Sequence, residues 1–120
     1  MVLVDISVWV DHLRRAIPML ATVLEDALVV THPFVIGEIA CGSIARRSEV
    51  LGLLQLLPQS PVAGDTEVLA MVEHRRLWGR GLGWVDVHLL AAAQLAGAQL
   101  WTRDRRLHAC ATALGIAFAP

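Results

Sequence analysis

The sequence predicts an α/β fold, a three-layer sandwich on a short-stranded parallel sheet, formed as one domain over residues 1–120. Three observations lead there. Short apolar runs alternate with longer helical stretches along the chain, the pattern of strands joined by helical crossovers. The runs are apolar throughout, with no alternation of polar and apolar residues, as in strands covered on both faces. The chain has 120 residues, enough for one core and too few for two.

Each element follows from local signals. Val2-Leu3-Val4 is a strand that stops at Asp5, and helical spacing begins at Ser7 with Val8, Trp9 and Leu13. Pro18 separates this helix from a second, about 19–26; Leu28-Val29-Val30 is the next strand and His32-Pro33 a turn. Pro33 suits the first turn of a helix carrying Val35, Ile36, Ile39 and Ala40, which Gly42 interrupts. A further helix, about 45–57, ends before Pro58 and Pro61, and Val62-Ala63 reads as a very short edge strand. Asp65 or Thr66 caps a helix running to about Trp78, and Gly79 to Gly83 form a flexible loop. A buried helix starts close to Asp86 and runs to Leu95 or Ala96, with Gly97 as its stop. Ala98 to Trp101 is a strand, Asp104 to about Leu114 a helix, and Ile116 to Phe118 a last short strand.

Composition narrows the class. The chain is 56% hydrophobic, with a mean hydropathy of +0.58. A domain this small cannot hide that much apolar surface within itself, so part is expected to lie against another chain. A membrane span needs about 20 mostly apolar residues, and the longest such stretch, Val87 to Trp101, is broken by His88, Gln94 and Gln99. The N-terminus has no charged leader before Asp5, so a cytoplasmic location is expected. Cys41 and Cys110, without a second pair, read as reduced thiols in a cytosolic core. All ten basic residues are Arg, in clusters at Arg14-Arg15, Arg46-Arg47, Arg75-Arg76 with Arg80, and Arg103 with Arg105-Arg106. Solvated helix faces explain most of these; the group beside Asp104 draws attention because of its neighbour.

In a parallel sheet, ligands bind beyond the carboxyl ends of the strands. Asp5 follows the first strand, Asp104 lies three residues past Trp101, and Asp86 opens a helix after the glycine loop. Glu38 lies inside a helix among apolar residues and is expected to point toward the interior edge of the sheet. Each acid alone is explained as a cap, a turn residue or a solvent-facing side chain. Together, converging carboxylates would repel one another, and a hard divalent cation removes that penalty. Oxygen ligands without organised His or Cys favour Mg²⁺ or Mn²⁺. Ser7 and Thr102 stand near these acids, with capping and strand packing as their ordinary roles. The five histidines have no metal-ligand spacing and read as capping or surface residues, with His88, two residues after Asp86, the one to watch. The four tryptophans read as core or interface, with Trp84 beside the glycine loop as a candidate stacking surface.

Leu3-Val4-Asp5-Ile6-Ser7-Val8-Trp9, Gly37-Glu38, Gly83-Trp84-Val85-Asp86 with Leu89 to Ala93, and Leu100-Trp101-Thr102-Arg103-Asp104 resemble, in order, the signatures of PIN domains. The likeness covers nearly the whole chain and is greatest to VapC-type toxins of toxin–antitoxin pairs. It implies a Mg²⁺- or Mn²⁺-dependent endoribonuclease with Asp5, Glu38, Asp86 and Asp104 as its acidic quartet. Asp5, Asp86 and Asp104 would hold metal, while Ser7 and Thr102 match hydroxyl positions of the family. It further implies a cognate antitoxin partner and a homodimer. Ile6 departs from the Thr or Ser common in the family, removing one hydroxyl beside the site. Arg103, Arg105 and Arg106 would grip the RNA backbone beside the cut.

Rival readings differ in what they require. A phosphorelay receiver needs a lysine, and the chain has none; a haloacid-dehalogenase-type phosphatase needs Asp at position 7, which is Ser7. A non-catalytic RNA-binding or assembly module would keep the fold without needing four mutually repelling acids. A DNA-directed nuclease would use the same acids.

Overall fold

The computed structural model describes residues 1–120. Its sheet has three parallel strands, β1 (Val2–Val4), β2 (Val29–Val30) and β3 (Gln99–Trp101), in the order β2-β1-β3. Leu3 sits opposite Val30 on one side and Leu100 on the other. Successive strand residues face opposite sides of a sheet, and Val2, Leu3 and Val4 are all buried. Both faces are therefore covered, which makes the three layers.

Seven helices do the covering: α1 (Ile6–Arg14), α2 (Pro18–Glu25), α3 (Pro33–Cys41), α4 (Arg47–Leu56), α5 (Asp65–Arg75), α6 (Trp84–Ala96) and α7 (Arg105–Ala113). Every one of these elements contributes to one core of 28 buried residues. At its centre α6 buries every residue from Val87 to Ala93. Three consecutive alanines, Ala91 to Ala93, let that helix lie close against β3. Gly97 ends α6 in the left-handed conformation, φ 62°, which a residue without Cβ adopts freely.

Some boundaries differ from the sequence reading. Val62-Ala63 forms no strand; the fringe lane at that edge is Gln59, bridged in parallel to Thr31. Leu57 and Pro58 leave the chain extended early enough for Ser60 N–H to reach the Thr31 carbonyl at 2.7 Å. Ile116–Phe118 is likewise a single bridge, Ala117 to Leu100. The α5 helix stops at Arg75, because Arg76 turns left-handed with φ 54°. Its N-cap is Gly64, whose N–H is taken by Glu67 Oε1 at 3.1 Å, and neither Asp65 nor Thr66 fills that place. Helix α6 starts two residues earlier than expected, at Trp84.

Candidate functional site

The strand order reverses at β1, which feeds β2 on one side and lies against β3 on the other. The crevice beyond the carboxyl ends of β1 and β3 is thus a topological switch point. Asp5 leaves β1 there as the N-cap of α1, and Asp104 follows β3 as the N-cap of α7.

Asp5 is the best-held acid. It is 4% exposed, with Oδ1 accepting the Ile6 N–H at 2.7 Å. Oδ2 accepts two hydroxyls, from Ser7 at 2.8 Å and Thr102 at 2.7 Å. The two hydroxyls are 3.2 Å apart and each does a second job. Ser7 Oγ accepts the Arg103 N–H at 3.0 Å, and Thr102 Oγ1 accepts the Asp104 N–H at 3.0 Å. One network therefore ties the end of β1 to the whole turn Thr102-Arg103-Asp104 after β3. Ile6, which lacks the hydroxyl common in the resembling family, packs its half-buried side chain against the core.

Asp104 spends one oxygen on its helix: Oδ1 accepts the N–H groups of Arg106 and Leu107 at 2.9 and 3.0 Å. Asp86 sits in the first turn of α6, and its Oδ2 accepts the Gly83 N–H at 2.8 Å. Asp104 Oδ2 and Asp86 Oδ1 carry no hydrogen bond from the protein. Burial pushes the Asp86 carboxyl above the ordinary carboxylate range; the Gly83 N–H opposes this, and the charges of Asp5 and Asp104 add to it. Thr102 Oγ1 links Asp5 to the Asp104 backbone.

Glu38 makes no hydrogen bond to these aspartates. Its side chain is exposed on α3, while Val35 and Ile39 of the same helix face the core. The expectation that it points to the interior edge of the sheet is corrected: Val35 and Ile39 take the buried positions of α3, and Glu38 is left at the surface. No three acidic, histidine or cysteine side chains close tightly enough to cage an ion. The chemistry of the donors still fits a hard divalent cation: all are oxygens, and two aspartates keep an oxygen unengaged.

Arg103, Arg105 and Arg106 are exposed around Asp104. Arg103 reaches back to α1, Nη1 to Asp11 Oδ2 at 3.0 Å. Arg106 lies over the glycine loop: a Cβ added at Gly81, φ +75°, would fall 2.6 Å from Arg106 Cδ. The loop that leads to Asp86 thereby leans on the helix that starts at Asp104.

The histidines divide. His12 Nδ1 accepts the Ile17 N–H, and His32 Nδ1 caps α3 through the Phe34 N–H, each at 2.9 Å. Desolvation, then the charge of His88, pushes His32 down to about 4. His88 is neither a cap nor a surface residue: it is fully buried, edge-on to Phe34 and Trp84, with Nε2 3.1 Å from Asp65 Oδ1. Its place on the all-buried face of α6 dictates this. Among the tryptophans, Trp9 and Trp101 are core and Trp84 is 43% exposed. Cys110 is buried, whereas Cys41 is exposed at the end of α3 and not in the core. Sequence reasoning passed over Asp11, although Ser7 and Asp11 are four apart and so share a helix face.

The family profile described as "PIN domain" matches residues 2–112. The chain belongs to the PIN domain family. This PIN chain is 52% identical over 120 residues to Ribonuclease VapC32 from two strains of Mycobacterium tuberculosis, covering 99% of this chain and 97% of that protein. A crystal structure of PAE2754 from Pyrobaculum aerophilum shares the fold of this PIN domain. Its TM-score is 0.57 at 18% identity, over 91% of this chain and 78% of that one.

Proposed function

We propose that residues 1–120 act as a single nuclease domain, a divalent-metal-dependent endoribonuclease serving as the toxin of a toxin–antitoxin pair. One observation carries the chemistry: Asp5 and Asp104 leave adjacent strands tied together through the Thr102 hydroxyl, and Asp86 of α6, raised first by burial, also feels the charges of both. The preference for RNA rests on likeness to a protein named a ribonuclease; a DNA-directed nuclease would use the same acids.

Asp5, Asp86 and Asp104 would hold Mg²⁺ or Mn²⁺, which supplies charge neutralisation at the scissile phosphate and a lowered pKa for the attacking water. The chain's own residues do the positioning. Ser7 and Thr102 fix the Asp5 carboxylate by two hydroxyl donors. Gly83 N–H and the α7 N-terminus orient Asp86 and Asp104. Glu38, exposed on α3, would orient a water or a second ion from the solvent side of the crevice. Arg103, Arg105 and Arg106 present donors to the RNA backbone beside the cut.

The antitoxin would lie on apolar surface that the fold leaves uncovered. A cavity of about 440 Å³ between α1, α2 and α4 is lined by Trp9, Leu13, Leu24, Leu53 and Leu56, among others. Leu56 is 82% exposed at its rim. Exposed Leu69 and Leu95 supply further apolar surface for a homodimer. No helix is long and apolar enough to cross a membrane, and a cytoplasmic site of action follows from an RNA substrate.

Cleavage of an end-labelled cellular RNA pool by purified, antitoxin-free protein tests this reading, with Mg²⁺, Mn²⁺ or EDTA and Asp5→Asn plus Asp86→Asn as control. Discrete metal-dependent cuts leaving 5′-phosphate ends are expected, and none from the control. Products ending in 2′,3′-cyclic phosphate, or cuts in EDTA, overturn the mechanism. Folded protein that binds RNA without cutting it points to the binding module instead.

A further inference from the structure

We propose that a cleft at the far end of α1 is a second phosphate-binding subsite, which holds the backbone of single-stranded RNA a nucleotide or two away from the acids. The proposal rests on the ribonuclease reading above for its substrate class. The cleft has a volume of about 360 Å³ and is lined by Arg14, Arg15, Arg103 and Asp11 around Ile17 and Pro18. Arg14-Arg15 and Arg103 are far apart in the chain, and the sequence offered no reason to join them. Three guanidiniums face a single carboxylate there, so the cleft is positive although the whole chain carries −1.

The cleft is connected to the acids through one residue. Arg103 donates its backbone N–H to Ser7 Oγ, the hydroxyl that holds Asp5. Its guanidinium reaches the other way, to Asp11 at 3.0 Å. Ser7 and Asp11 lie on one face of α1, about 6 Å apart along its axis. A strand crossing the Asp5 crevice along that face runs into the arginines. The Arg103–Asp11 pair is half exposed on both sides, 48% and 42%, so an incoming phosphate can replace the carboxylate at little cost.

The far wall of the cleft is the start of α2. Helix α2 begins at Pro18 behind the N-cap Ile17, which offers no side-chain cap. His12 holds this corner by accepting the Ile17 N–H at 2.9 Å. Arg14 and Arg15 are both exposed, free to turn onto a ligand. An acidic peptide could use the same charges; the alignment with the Asp5 crevice favours a nucleic-acid strand.

The test is fluorescence anisotropy with a labelled 12-nucleotide oligouridylate, in EDTA so that nothing is cut, over a range of NaCl. Wild type is compared with R14A/R15A and D11N. Losing two phosphate contacts lowers the slope of log K against log[salt] by about 1.4, which is about a sevenfold smaller loss of affinity between roughly 50 and 200 mM salt. D11N is expected to tighten binding. In Mg²⁺, R14A/R15A should raise KM for long RNA and leave kcat unchanged. A wild-type salt slope in R14A/R15A overturns the subsite, as does displacement of the RNA signal by polyglutamate in wild type and R14A/R15A alike. If R14A/R15A lowers the slope while no RNA is ever cut, the subsite stands and the nuclease reading fails.

Discussion

Replacing Thr102 with valine isolates the hydroxyl that joins the two strand ends. The side chain is 6% exposed, and valine keeps its shape, so packing is preserved while two hydrogen bonds go. The donor bond to the Asp5 carboxylate, 2.7 Å long and buried, belongs to the class worth about 1.5–3 kcal/mol. The bond from the Asp104 N–H, 3.0 Å and nearer solvent, is worth less, because water can take that donor. Asp5 Oδ2 retains Ser7, which limits the loss. The expected destabilisation is about 2–3 kcal/mol, which for a domain of this size lowers Tm by about 8–12 °C. Thermal melts of wild type, T102V and T102S, followed by circular dichroism in EDTA, measure it without contribution from bound metal. T102S should recover most of the loss, since it restores the hydroxyl and gives up only a methyl group. Melting of T102V within 2 °C of wild type would refute the network's energetic role. A T102S protein as unstable as T102V would move the cause from the hydroxyl to packing.

Other consequences follow from the same geometry. Ser7→Ala and Thr102→Val should be non-additive in a double-mutant cycle of chemical denaturation, with a coupling of about 0.5–3 kcal/mol, because they share one carboxylate oxygen; strict additivity would show that they act separately. Asp86 has a raised pKa in the folded state, so between the unfolded value of 3.8 and the raised value the folded chain binds more protons, and stability falls as pH rises through that window. Asp86→Asn should abolish this fall and melt higher than wild type in EDTA at pH 7 while losing RNA cleavage; parallel melting curves from pH 3.5 to 7 would contradict the raised Asp86 pKa. Gly81→Ala forces a side chain onto φ +75° and displaces Arg106, at a cost of about 1–2 kcal/mol. Denaturant titration and oligonucleotide binding should both weaken, and an unchanged midpoint would place the loop elsewhere in solution.

Local patterning was enough to find every strand and helix and the neighbourhoods of the acids. Asp5 at a strand end, Asp104 at a helix start and Gly97 as a helix stop are properties of a few consecutive residues and their backbone preferences. Patterning erred where backbone conformation departs from periodicity. The left-handed turn at Arg76 ends α5 before the hydrophobic repeat does, and the lane beside Thr31 is held at Gln59 by a main-chain hydrogen bond from Ser60, with no side-chain signature. His88 shows a related limit: the polar residue lies on a helix so deeply packed that its buried face includes it.

The sequence by itself determined the fold class and pointed to four acids, Asp5, Glu38, Asp86 and Asp104, as a group worth joining. Only the tertiary structure decided that Ser7 and Thr102, 95 residues apart, share the Asp5 carboxylate, that Glu38 faces outward, and that Arg14 and Arg15 meet Arg103. Periodicity reports which face of an element is buried. Which elements become neighbours depends on the β1–β3 register, and that register is set by the packing of all 28 core residues at once.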